Sequence, residues 1–370
     1  MRRVSVLVAV ALAAAGPIMS CGDAEPTPSP HEGEVLDRLL ATPSAGGWRT
    51  QGDDPFEVWV CHVPADSTAA IYGGLPLRLA LTPATVTAAV AARVPAYFDE
   101  LSHGRYRPVF SAGGEVTIGR DDEPQACIDS VIAGAGSAAH AVLVVADAEH
   151  GADQPGGFGS GGDPCPTAGP CAVALSRRAA YVGASDFHPD WGDDEPMDLV
   201  EHEIGHTLGW VHSGTDDAGN YLSGLDVMSN SAAPRAVDPA RRDGPGTLAL
   251  NLVLAGWLPA GDVWIVRGSA DVELSPSIGD SGTRLVVLER PGGSIVTIEL
   301  FADEGLDDHL PAAGVGVHVI ELASGAITSI TPALGTPPED SLLHPGETHS
   351  SPDGWSVTVH DGWKIHIVFT

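Results

Sequence analysis

Positive charge is what this chain has least of. It carries 18 basic residues against 49 acidic ones, and Lys364 is its single lysine. A formal net charge of −31 repels phosphate backbones and anionic lipid surfaces, so nucleic acid is not an expected partner. The excess of carboxylate suits solubility outside the cell; a sharper reading gives some carboxylates to Ca2+. Long apolar runs are also lacking. Beyond the N-terminus no segment approaches the ~20 apolar residues of a bilayer-spanning helix. No repeat of fixed period is present. Gly (45) and Pro (30) are plentiful, which favours turns and short strands over long helices. A length of 370 residues allows one large or two medium domains, each with a real core.

The N-terminus reads as an export signal. Arg2 and Arg3 precede an apolar run, Val4–Ala15, too short to span a bilayer. "IMSC", Ile18–Cys21, resembles the lipobox of bacterial lipoproteins, which makes Cys21 the expected lipidation site; plain secretion is the alternative. The Pro-rich acidic stretch after it cannot fold alone and suits a tether. The expected destination is the outer face of the cell membrane, held there only through the lipid.

Four cysteines remain, an even number that suggests two disulfides in an exported chain. Cys165 and Cys171 bracket a turn-rich loop. Pairing them leaves Cys61 with Cys127, one of three connectivities that four cysteines allow. No spacing resembles a cysteine zinc site.

Residues 56–63 are β-branched and aromatic and read as a strand. Thr82 is a plausible N-cap, and Val86, Val90 and Leu101 recur at helical spacing until Gly104. Residues 105–118 return to strand character, 127–140 suggest a second helix, and the apolar run 141–148 a buried strand. Residues 150–171 read as a long glycine-rich loop. No Lys-Ser/Thr follows it, so it is not a phosphate loop. Residues 172–184 offer another strand. Strands and helices in this order predict an α/β (α+β) domain. After residue 262 short alternating runs between Gly, Pro and Asp predict an antiparallel β-sandwich. The expected layout is a signal peptide at 1–20, a tether at 21–53, the α/β domain at 54–261 and the sandwich at 262–370.

Chemistry concentrates in "HEIGHTLGWVH", residues 202–212. On a helix His202 and His206 share a face, ~5–6 Å apart at Cβ, and can share one Zn2+ at about 2.0–2.1 Å. Glu203 reaches the water that such a metal activates without being a ligand itself. Gly209 can turn left-handed and end the helix, which lets His212 swing back as a third ligand. Three histidines leave one position open, as a catalytic zinc needs. Met228 follows sixteen residues after His212, in "LDVMSN".

Together these residues resemble the metzincin metallopeptidases, and within them the gametolysin-like and immune-inhibitor-like enzymes. The resemblance is strong over residues 202–230 and holds elsewhere only in outline. It implies a zinc site of His202, His206 and His212, Glu203 as general base and Met228 in the turn beneath the metal. It implies a catalytic domain with a twisted mixed sheet and an active-site helix. Some metzincins carry a tyrosine two residues after that methionine; here Asn230 stands there, so no tyrosine ligand is expected. No cysteine switch is evident. "SDFHPDWGDDEPMD" offers Asp186, Asp190, Asp193 and Asp194 as Ca2+ ligands, without an EF-hand pattern; a solvated acidic loop is the favoured alternative. Trp210 is expected in the core.

The expected function is thus a monomeric zinc endopeptidase acting on extracellular protein or peptide. The alternative is a catalytically inactive surface adhesion lipoprotein that works through its β-sandwich. Retention of Glu203 argues against that alternative, because a relic has no need of a base.

Overall fold

The computed structural model describes residues 51–64, 71–72, 75–76, 78–119, 122, 124–148, 157–160, 178–192, 194–215, 220–290, 294–323, 326–334 and 342–369. The signal segment, Cys21, nearly all of the tether, the Cys165–Cys171 pair and Asp193 lie outside the described residues.

The chain is a mixed α/β protein. In chain order the first elements are β1 (Gly52–His62), β2 (Ile71–Tyr72), β3 (Leu75–Pro76), α1 (Pro83–Leu101), β4 (Tyr106–Thr117), α2 (Pro124–Gly134), β5 (Ala141–Ala146), β6 (Gly157–Ser160) and β7 (Ala179–Val182). α3 (Asp198–Thr207), α4 (Ala233–Val237) and α5 (Ala249–Leu254) follow. Five of these strands form one sheet in the order β4-β1-β5-β7-β6. β4, β1, β5 and β7 run parallel, with α1 and α2 as crossovers, and β6 is antiparallel at the edge.

Side-chain alternation divides this sheet's two faces. Phe56, Val58, Val60, Leu143 and Val145 join α1 and α3 in one apolar cluster. Cys61, Val142, Val144 and Ala146 join α2 in another. β5 is buried at every position because both faces are covered. α1 begins where expected: Thr82 and Thr85 form a reciprocal capping box, and Val86, Val90 and Val94 point into the core. The glycine-rich stretch differs from its expected loop character, since Gly157–Ser160 is a strand paired with β7. Glycine at 157 and 159 is what that edge tolerates, because α3 passes directly over it.

A second set of strands follows: β8 (Val263–Val266), β9 (Ala270–Glu273), β10 (Leu285–Glu289), β11 (Ile295–Phe301), β12 (Gly314–Ala323), β13 (Ala326–Pro332), β14 (Thr348–Ser351), β15 (Trp355–His360) and β16 (Lys364–Phe369). They form two sheets, β13-β12-β11-β10-β8 and β14-β15-β16-β9. All pairs are antiparallel except β10 with β8. That pair departs from the antiparallel expectation because the chain leaves β8 for the other sheet, adds β9 there, and only then returns as β10. This is the long crossover a parallel pair requires.

The five-stranded sheet is covered on both sides. Val286, Leu288, Val296 and Ile298 pack with Val357, Val359, Ile365 and Ile367 of the smaller sheet. Leu285, Val287, Ile295 and Phe301, on the opposite face, belong to the same cluster as α1 and α3. The main core therefore runs unbroken across residue 262. Among the described residues no helix is long and apolar enough to cross a membrane.

Candidate metal centre and its cleft

α3 starts at Asp198, whose carboxylate takes bonds from Ser231 and Arg235. Pro196 stands two residues ahead of the helix rather than inside it. The helix ends at Thr207, and Gly209 adopts φ +84°, the left-handed turn that carries the chain back. His202, His206 and His212 thereby converge, with one ligand nitrogen from each lying within 4.8 Å of the others.

Hydrogen bonds set the tautomers. His202 Nδ1 lies 2.7 Å from Val227 O and His206 Nδ1 2.8 Å from Trp210 O. A carbonyl only accepts, so both Nδ1 atoms carry the proton and both Nε2 atoms present lone pairs. His212 Nε2 lies 3.2 Å from His202 Nε2 and 2.8 Å from His206 Nε2. Two nitrogens bound to one tetrahedral zinc at ~2.05 Å stand about 3.3 Å apart, so the spacing fits such an ion. Burial lowers all three imidazole pKa values, to about 4 for His202 and about 3 for His206, which keeps them in the neutral, ligating form. A metal ion fits this donor set.

Met228 is fully buried beneath the helix; a Cβ on Gly205 would sit 2.4 Å from its Sδ. The turn around it clasps both ends of the site. Val227 O takes the His202 proton, and Met228 O accepts from Ser213 N–H at 3.1 Å, next to His212. Asp226 fixes that turn by accepting from Met228 N–H (3.1 Å), Thr247 Oγ1 (2.7 Å) and Ser213 Oγ (2.5 Å). Burial raises the Asp226 pKa against these bonds.

Glu203 lines the same cleft as the three histidines, with Gly157, Phe158, Gly159, Leu199, Tyr221, Ser229 and Ser231. The cleft holds about 250 Å³. Glu203 is 3% exposed, and burial drives its pKa well up. Its Oε2 has no hydrogen-bond partner among the described residues. A Cβ on Gly157 would stand 2.1 Å from Glu203 Oε1, and one on Gly159 would meet His206 Cβ at 2.4 Å and Glu203 O at 2.5 Å. β6 can run along the helix only as glycine at these two positions.

Four cleft and support residues stand outside the histidine motif. Gly157 and Gly159 lay in an apparent loop. Asp226 stood inside "LDVMSN" as an unremarked charge. Tyr221, in the stretch between His212 and Met228, lines the cleft, and its ring lies 4.8 Å from that of His212. Asn230 is not among the cleft residues, and its N–H bonds Ser223 O. Trp210 is 1% exposed and packs in the core against Phe98 and Trp257. Among the described residues the three histidines are the group able to hold a metal. Asp186, Asp190 and Asp194 form no such group, and Asp190 pairs with His188 instead. One of the expected disulfides, Cys61–Cys127, is present and ties β1 to α2.

No family model matches the chain, and no curated protein matches it. Among solved structures, one described as "Structure of a chaperone-substrate complex" is similar at 13% identity and a TM-score of 0.25. That match covers 56% of this chain and 36% of the other, so the chain spans about a third of the structure's length.

Proposed function

We propose that the chain is a zinc-dependent endopeptidase of metzincin type, exported and held at the bacterial surface by lipid on Cys21. In this reading residues 54–261 are the catalytic domain and the two C-terminal sheets form an appended β-sandwich. The observation that carries it is the convergence of three imidazole Nε2 atoms in one cleft with the buried Glu203 carboxylate.

Zinc held by His202, His206 and His212 supplies a Lewis acid that polarises a carbonyl and makes water more acidic. The chain's own residues do the rest. Glu203, which lines the cleft and whose Oε2 has no hydrogen-bond partner among the described residues, takes the proton from the attacking water and passes it to the leaving amine. β6 is an edge strand, and its outer side offers backbone donors and acceptors to an extended peptide. Phe158, 42% exposed on that strand, gives the peptide an apolar contact. The Val227 and Trp210 carbonyls hold two of the imidazoles in their ligating tautomer.

The test uses the full chain. Zinc content and cleavage of a general protein substrate are measured for wild type, Glu203→Gln and His206→Ala. One zinc per chain is expected for wild type and Glu203→Gln, cleavage by wild type alone, and loss of zinc in His206→Ala. Zinc uptake without cleavage by wild type overturns the peptidase reading and leaves the adhesion alternative standing.

A further inference from the structure

Tyr221 stands over the metal centre with its hydroxyl turned inward. Its oxygen lies 3.3 Å from His212 Nε2 and 3.4 Å from His212 Nδ1. A hydroxyl bonded to a ring nitrogen sits near 2.8 Å and clearly closer to one nitrogen than the other. This oxygen is nearly equidistant from both, so it hydrogen-bonds neither well and its proton is available. The residue is 43% exposed and had solvent on offer. Its ring instead stacks edge-on to His212 and His202, at 4.8 and 5.9 Å.

Backbone contacts fix it there. Tyr221 forms a β-bridge with Thr215, and Leu222 N–H donates to Gly214 O at 3.2 Å. Gly214 N–H in turn donates to Ile330 O of β13 at 3.1 Å. The C-terminal sheet thus braces the strand pair that carries the phenol. Glu203 lines the cleft with it.

We infer that Tyr221 donates a hydrogen bond to the carbonyl oxygen of a peptide bound beside the metal and strengthens that bond as the oxygen gains negative charge. The inference rests on the peptidase reading. Tyr221 is then a catalytic residue that lines the same cleft as Glu203. It acts as a donor, and it is not a metal ligand.

Tyr221→Phe removes one oxygen from a partly exposed ring, so folding and zinc content should not change. A hydrogen bond to a charged acceptor contributes about 1.5–3 kcal/mol, which converts to roughly 10- to 150-fold. By calorimetry, a phosphinic peptide, whose tetrahedral oxyanion mimics the charged state, should bind zinc-loaded Tyr221→Phe weaker by that factor. kcat should fall by a similar factor with KM within about twofold. The visible spectrum of the Co2+-substituted protein without inhibitor should be the same for both forms. Equal inhibitor affinity in the two proteins overturns the assignment, and so does a changed Co2+ spectrum, which would make the phenol a ligand. Wild type that takes up zinc but neither binds the phosphinic peptide nor cleaves protein overturns the peptidase reading itself.

Discussion

Arg178 joins Asp54 to the end of α3, the helix that carries His202 and His206. Its Nη2 lies 2.8 Å from Asp54 Oδ2, while its Nε donates to Thr207 O at 3.1 Å. All three residues are buried. Burial pushes the Asp54 carboxyl up, but Arg178, His140 and Tyr106 outweigh it and hold the pKa below its usual value. The guanidinium also caps the helix carbonyls just before Gly209, where the chain must turn to deliver His212. Arg178→Met leaves Asp54 buried and charged without its counter-ion. It should cost about 3–5 kcal/mol in urea unfolding. The Asp54→Leu/Arg178→Met double variant should lose less than Arg178→Met alone. A larger loss in the double variant would show that the pair does not act as a unit.

β6 and α3 touch through two glycines, and these fail differently when substituted. An alanine methyl at 159 meets Glu203 O, which cannot move without bending the helix. Gly159→Ala should lose about 1–3 kcal/mol of stability, together with zinc affinity. At 157 the three nearest atoms the methyl meets, Oε1, Cδ and Cγ, all belong to the Glu203 side chain, which can rotate where a backbone oxygen cannot. Gly157→Ala should keep its zinc and lose turnover by on the order of 100-fold through a misplaced base. Dialysis against a zinc buffer and a kcat measurement separate the two variants. Zinc loss in both would make the contact purely structural.

The ease of reading the site from sequence follows from local geometry. His202, Glu203 and His206 lie on one helical turn, and Gly209 announces its own left-handed turn, so spacing alone carries them. β5 was legible because burial on both faces writes a continuous apolar run over residues 141–146. The long-range partners were not legible. Gly157–Ser160 is a strand only because β7 and α3 lie on either side of it. Tyr221 reaches His212 through a backbone bridge that no periodicity records. Glu299 alternates with apolar neighbours on β11 and looks like a solvent-facing charge, yet it is fully buried because the main core covers its face. β13 and β14, rich in Thr and Ser, take their strand form from pairing with β12 and β15.

The Cys61–Cys127 bond closes a separation of 66 residues, and both cysteines are fully buried. The chain-entropy account gives a loop of that length about 4 kcal/mol. Cys61→Ala/Cys127→Ala should lower unfolding stability by about that amount under oxidising conditions. Wild type treated with dithiothreitol in mild urea should approach the same value. A loss below about 1 kcal/mol would mean that packing of β1 on α2 holds the region unaided. The histidine centre lies on the other face of the sheet, so zinc content of the folded double variant should be unchanged.

Two buried acids, Glu299 on β11 and Asp307 in the turn between β11 and β12, join the segment after the Met228 turn to the C-terminal part of the chain. Asp307 Oδ1 accepts from Gly246 N–H at 3.0 Å, and Glu299 Oε2 accepts from Ala249 N–H at 2.8 Å. Burial, helped by the nearby Asp226 charge, raises Glu299 to about 8 and Asp307 to about 7. Arg241 pulls Asp307 down and Asp308 pushes it up. Carboxylates in the unfolded chain titrate near pH 4. The folded state therefore keeps protons that the unfolded chain releases. The stability this provides is complete below about pH 4 and is lost as pH rises through about 7 for Asp307 and 8 for Glu299. The slope is at most about 1.4 kcal/mol per pH unit for each group. Glu299→Gln keeps an acceptor for Ala249 N–H and removes one titration. Urea midpoints between pH 5 and 8 should fall less steeply in Glu299→Gln than in wild type, and the curves should converge at low pH. Parallel curves would show that Glu299 keeps its ordinary carboxylate range in the fold, with its charge met by a partner other than a proton.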